Sequence, residues 1–129
     1  MNSKAIEILF RENFKRDGIK RSDVFTTFQI KPNNVIEYDL NNDFVEYVNK
    51  VVRNLPSFYE YCKKVLQKDK LDEMELVKRT IKEIRKSCTI FDENDLEDSD
   101  FVYDWYLESR VEYLLCEDID FFFDILDSL

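Results

Sequence analysis

Histidine is absent from the 129-residue chain, glycine occurs once and proline twice. Each shortage excludes a class of chemistry. Without imidazole there is no Ser-His or Cys-His nucleophile, no histidine base and no histidine metal ligand. The single glycine, Gly18, leaves nothing from which to build a Gly-rich phosphate loop or a succession of tight hairpins. The three cysteines, Cys62, Cys88 and Cys116, are odd in number, widely spaced and form no CxxC. A zinc site would lack its fourth ligand. Each cysteine falls on an apolar stripe, so all three are read as small buried hydrophobes in a reducing compartment. No apolar run approaches the roughly 20 residues of a membrane span. Glu7, Arg11 and Glu12 interrupt any signal-peptide core. The chain therefore reads as cytoplasmic, with no membrane partner.

What is present is apolar and charged in bulk: 44% hydrophobic, 15% aromatic and 36% charged residues. That much apolar area offsets the ordering entropy of one domain spanning residues 1–129. The net charge of −9 hides a division. Residues 1–90 carry 18 basic and 14 acidic side chains, net +4, whereas residues 91–129 carry 14 acidic and one basic, Arg110, net −13. Such a field has a direction. It disfavours direct contact with nucleic acid, which needs a basic surface to release counterions, and it attracts a basic protein.

The apolar spacing predicts a mainly α protein of five or six helices with a short β-hairpin near residues 24–40. Ser3 caps a first helix that carries Ile6, Leu9, Phe10 and Phe14 on one stripe and closes at Asp17-Gly18. Residues 24–30 and 35–38 are β-branched and aromatic, with Lys31-Pro32-Asn33-Asn34 as turn chemistry between them. Asn41, Asn42 and Asp43 offer caps for a helix with Phe44, Val48, Val51, Val52 and Leu55 inward, stopped by Pro56. Ser57 and Glu60 form a capping box ahead of Phe58, Cys62, Val65 and Leu66. Met74, Val77, Ile81, Ile84 and Cys88 mark a helix over 71–90. An acidic linker or helix entry over 92–100, with Asp98 or Ser99 as cap, leads to a long helix to about 116 and a last one near 118–128.

Candidate functional residues cluster in the acidic third. Asp100, Asp104, Glu108 and Glu112 recur every four residues as a carboxylate ladder. Its three like-charge pairs cost roughly 0.6–1.5 kcal/mol together in an isolated helix. Glu117, Asp120, Asp124 and Asp127 repeat on a helical face further on. Nine of the 19 aromatics lie in the same stretch, and Tyr103, Tyr106 and Tyr113 are candidate interface anchors, with Trp105 assigned to the core. The bland alternative is that the ladder pairs with Lys78, Arg79, Lys82, Arg85 and Lys86 of the chain itself. Arg11, Lys15, Arg16, Lys20 and Arg21, beside Phe14 and Phe25, form a weaker basic run with interleaved acids.

Catalytic motifs are missing. A calcium loop from Asp92 has Leu96 and Glu97 where a ligand and a glycine are needed, and no Walker A, GxGxxG, GxSxG or HExxH occurs. No catalytic residue, metal ligand or cofactor is assigned. The motifs identify no family. The general type, a small acidic chain with a carboxylate-and-aromatic surface, looks like the inhibitors that neutralise basic nucleases. The expectation is a non-enzymatic acidic inhibitor that binds and neutralises a basic protein partner, with a toxin immunity protein or antitoxin against a nuclease as the first reading. Alternatives are a phage or viral inhibitor of a host defence or nucleic-acid-binding protein, and a helical structural or adaptor subunit. In the inhibitor reading Asp100, Asp104, Glu108, Glu112, Tyr103, Tyr106, Glu117, Asp120 and Asp124 touch the partner.

Overall fold

A computed structural model describes residues 3–30, 32–33, 36–66, 70–87 and 92–129. Helix α1 runs Ser3–Asp17, and its stripe of Ile6, Leu9, Phe10 and Phe14 is buried. Gly18 takes φ +64°, a conformation that side chains disfavour. The Ile19 N–H then reaches back to the Phe14 carbonyl at 3.0 Å, the 6→1 bond of a Schellman stop.

A single 3-10 turn, Arg21–Asp23, leads into β1 (Phe25–Ile30), which pairs antiparallel with β2 (Ile36–Leu40). Phe28 lies opposite Tyr38 and Ile30 opposite Ile36, with an irregularity between Phe25 and Thr27. β2 continues two residues past the expected end at Tyr38. Pro32 and Asn33 form the turn; Lys31, Asn34 and Val35 lie outside the described residues. Two strands alone are marginal. Asn41 ties them down: its N–H donates to the Val24 carbonyl at 2.8 Å, and its side-chain amide donates to the Asp23 carbonyl at 3.2 Å. The same side chain accepts from the Asp43 N–H at 3.0 Å and so caps α2 (Asn42–Asn54).

After Pro56 the chain re-enters helix as α3 (Phe58–Leu66), and Ser57 Oγ accepts from the Glu60 N–H at 3.2 Å as the capping motif predicts. Helix α4 (Lys70–Ser87) packs on α5 and buries Ile84 and Thr80; Cys88 and the Met74 side chain lie outside the described residues. The acidic linker folds in part. Glu93–Glu97 is a 3-10 turn with Leu96 buried, and Asp98, not Ser99, caps α5 (Ser99–Glu117) through the Asp100 N–H at 3.0 Å. Helix α6 (Asp120–Asp127) is the last described element. Six α-helices and a two-stranded sheet are thus described, in line with a mainly α single domain.

The core has two aromatic centres. Phe14 lies 5.7 Å from Phe10, 6.0 Å from Phe44 and 6.1 Å from Phe122, ring centre to ring centre. This centre binds α1, α2 and α6. Phe58, Tyr59, Tyr103 and Tyr106 form the second, with Tyr59 edge-on to Tyr103 at 5.0 Å and Phe58 stacked on Tyr106 at 6.4 Å. It joins α3 to α5. Helix α5 buries Val102, Tyr103, Leu107, Val111 and Leu114 and is the axis around which α2, α3 and α4 are arranged.

Candidate functional site

Four carboxylates at a spacing of four do not make a straight edge. An α-helix turns about 100° per residue, so each rung is displaced about 40° from the last and the ladder winds about 120° in all. The structure divides it accordingly. Ser57 Oγ–H donates to Asp100, and the Phe58 N–H donates to Asp104 Oδ1 at 3.1 Å. Both rungs therefore sit at the N-terminus of α3, where unsatisfied N–H groups and the positive end of the helix dipole favour an anion. Burial pushes the Asp104 pKa up; the Phe58 N–H opposes the shift, while Asp100 and Asp98 add to it. Glu108 and Glu112 turn away from α3 and are exposed.

The aromatic candidates separate in the same way. Tyr103 is fully buried against Phe58 and Tyr59, so it belongs to the core and not to a surface. Tyr106 is half-buried, its phenol raised by burial and pulled back by Arg110 and Arg79. Trp105, assigned to the core from sequence, is half-buried and lines the cleft between α4 and α5. Phe14 is fully buried and cannot stack on a base.

The second acidic series is broken by the chain. Glu117 ends α5, whereas Asp120, Asp124 and Asp127 lie on α6 beyond a turn at Asp118–Ile119, so no continuous helical face joins them. Asp127 pairs with Arg21 at 2.9 Å, and Arg21 also lies over the Phe123 ring at 4.4 Å. Arg11 bonds Glu7 at 3.0 Å and the Ser128 hydroxyl at 2.7 Å. Part of the basic run around Gly18 is therefore spent inside the fold. Glu117, Asp120 and Asp124 are exposed and, with Glu108 and Glu112, make no ion pair among the described residues. Among the described residues no ladder rung is seen in an ion pair with α4; Arg85 meets Glu93 at 3.1 Å. Glu117 also stands at the negative end of the α5 dipole, with no basic residue in the last turn to balance it.

Two grooves flank α5. Toward α2, a groove of about 470 Å³ has Leu40, Val45, Val52, Val111 and Leu115 as its apolar floor, with Glu108, Glu112, Asn49 and Arg53 as polar groups. Cys116 lines it too and is an exposed thiol, contrary to the expectation that every cysteine is buried; Cys62 is buried as expected. Toward α4, the cleft holding Trp105, Tyr106 and Tyr113 is cationic. Comparison with known proteins found no matching family model, no matching curated protein and no matching solved structure. The chemistry of these surfaces must stand alone.

A third hollow, of about 620 Å³, opens between α1, α2 and α3, and several of its polar groups bond one another. Asp17 accepts from Arg16 at 2.9 Å and from the Tyr47 hydroxyl at 2.6 Å, and these bonds hold its pKa down at about 2. Tyr61 donates to Glu12 at 3.3 Å, and burial raises both phenols well above their ordinary value. Among the described residues no three cysteine or carboxylate side chains converge as a metal site, and no helix is long and apolar enough to cross a membrane. The α2 contributors Val45, Val52 and Arg53 were not singled out from sequence as site residues. Val52, on the edge of the α2 stripe and half-buried rather than buried, is the signal that this flank is incompletely covered.

Proposed function

We propose that the chain is a non-enzymatic binding protein that captures a basic protein through the exposed carboxylates of α5 and α6. The carrying observation is that Glu108, Glu112, Glu117, Asp120 and Asp124 are exposed and unpaired among the described residues, while the remaining rungs of the ladder are occupied in holding α3. Like charges left unrelieved on a surface add nothing to folding. They do steer and orient a cationic partner, raising the association rate and making it fall with salt. The apolar floor beside Glu108 and Glu112 supplies contact area of the kind that turns an encounter into a complex. In this reading the carboxylates occupy the places that substrate phosphates take on a basic nuclease, as in an immunity protein or antitoxin. A viral inhibitor of a nucleic-acid-binding protein uses the same physics.

The test is affinity capture from the source cell, run in parallel with the wild-type chain and a Glu108→Lys/Glu112→Lys variant. A basic protein that wild type retains at low salt, releases at high salt and loses on charge reversal supports the proposal. Partners that resist salt and bind both chains alike contradict it, and favour a structural subunit held by apolar contact.

A further inference from the structure

We infer that the cleft between α4 and α5 binds a small anion bearing a flat aromatic ring, of the class of a nucleoside monophosphate. In a chain of net charge −9 this cleft has the opposite sign. Arg79 and Lys82 enter it from α4, and Arg110, the lone cation of the last 39 residues, enters from α5. Among the described residues Glu83 is the one carboxylate in its lining, and neither Lys82 nor Arg110 forms an ion pair. Lys82 and Arg110 repel one another across the cleft, and a bound anion relieves that repulsion. Guanidinium groups suit phosphate in particular, because their planar fork matches its oxygens.

The rest of the lining is aromatic. Trp105, Tyr106 and Tyr113 contribute rings, and Tyr113 is 48% exposed, one of two large hydrophobics described as exposed. Arg110 lies over the Tyr113 ring at 5.0 Å, which holds its head group beside the apolar surface rather than out in solvent. Stacking on such rings accepts any planar base. Size narrows the class. At about 310 Å³ the cleft stands at the small end of ligand sites, room for one base with its phosphate. The acidic remainder of α5 and α6 also repels a polyanion that extends past the cleft.

The chain's single tryptophan lines the cleft and reports its occupancy by fluorescence. Adenosine 5′-monophosphate should change Trp105 emission saturably, with adenosine binding about tenfold more weakly for want of the charged contacts. Inorganic phosphate should compete with the nucleotide while moving the emission little. Lys82→Gln and Arg110→Gln, each verified by circular dichroism and a cooperative melt, should weaken the nucleotide about tenfold and leave the adenosine curve in place. Should either variant fail to fold, the other, with the three-ligand comparison on wild type, still decides. The inference is overturned by the absence of saturation at millimolar nucleotide. Equal affinities for nucleotide and nucleoside overturn it as well, as does a single-stranded oligonucleotide that outcompetes the mononucleotide.

Discussion

Toward α2, helix α5 presents Glu108 and Glu112 above an apolar floor; toward α4 it presents Arg110 among Trp105, Tyr106 and Tyr113. The two flanks belong to one 19-residue helix and share its buried spine of Val102, Leu107, Val111 and Leu114. Their difference is angular. Residues 108, 111, 112 and 115 fall on one side of the helix and 106, 110 and 113 on the other, so a single element separates charges of opposite sign by its own diameter. A net charge for the segment conceals this, because the sum of −13 contains its one cation at the place where it joins the cations of α4.

The strongest way to break the comparison is to loosen the spine. Leu107→Ala should cost about 2–5 kcal/mol in chemical denaturation, because a buried side chain is removed between both flanks. The next perturbation separates the two halves of the ladder. Asp104→Ala should cost about 0.5–2 kcal/mol, since the Phe58 N–H loses its acceptor. Glu108→Ala and Glu112→Ala should stay within about 0.5 kcal/mol of wild type, as exposed groups without partners do. Comparable losses at all three rungs would show that the ladder is a structural unit after all.

Acid and base sharpen the same contrast between carboxylates. Native Asp104 holds its proton more tightly than the unfolded chain, so its contribution to stability is full at low pH and fades as pH rises through the native value. Asp104→Asn, which keeps an acceptor for Phe58, should flatten that decline in a series of melting temperatures against pH. Asp17 has the reverse sign: its pKa is lowered from 3.8 to about 2, so its contribution is present above about 4 and lost as pH falls toward 2. Asp17→Asn should flatten the acid limb only. The smallest effect is chemical. Cys116 should react with a maleimide in the native protein with little change in stability, while Cys62 reacts only after unfolding; equal labelling rates would contradict the placement of the α2 flank.

Local patterns carried most of the fold. The α1 stripe with its Gly18 stop, the Asn41 cap and the Ser57–Glu60 motif all depend on neighbours within a few residues, and each is found where the spacing put it. The corrections come from contacts between distant positions. That Asp104 holds a backbone group 46 residues earlier cannot be read from periodicity, and a constant spacing of four suggested one edge where the helix makes a spiral. The same limit misplaced Tyr103, because an aromatic beside an acidic edge looks like an anchor until Phe58 and Tyr59 of α3 are seen to cover it. The basic and aromatic residues of the α4–α5 cleft were all visible as types. Only packing brings Arg79 and Lys82 to Arg110, so the cleft emerges from the pairing of two helices and not from either alone.

A chemical-shift map of the 15N-labelled protein with two probes tests the division of α5 most directly. The probes are an amphipathic lysine-leucine peptide and adenosine 5′-monophosphate, added separately to one sample. The account predicts peptide-induced shifts around Val52, Arg53, Glu108, Glu112 and Leu115, and nucleotide-induced shifts around Lys82, Trp105, Arg110 and Tyr113, with salt weakening both. Overlapping maps, or a peptide that perturbs the α4 side, would contradict the claim that one helix carries two surfaces of opposite chemistry.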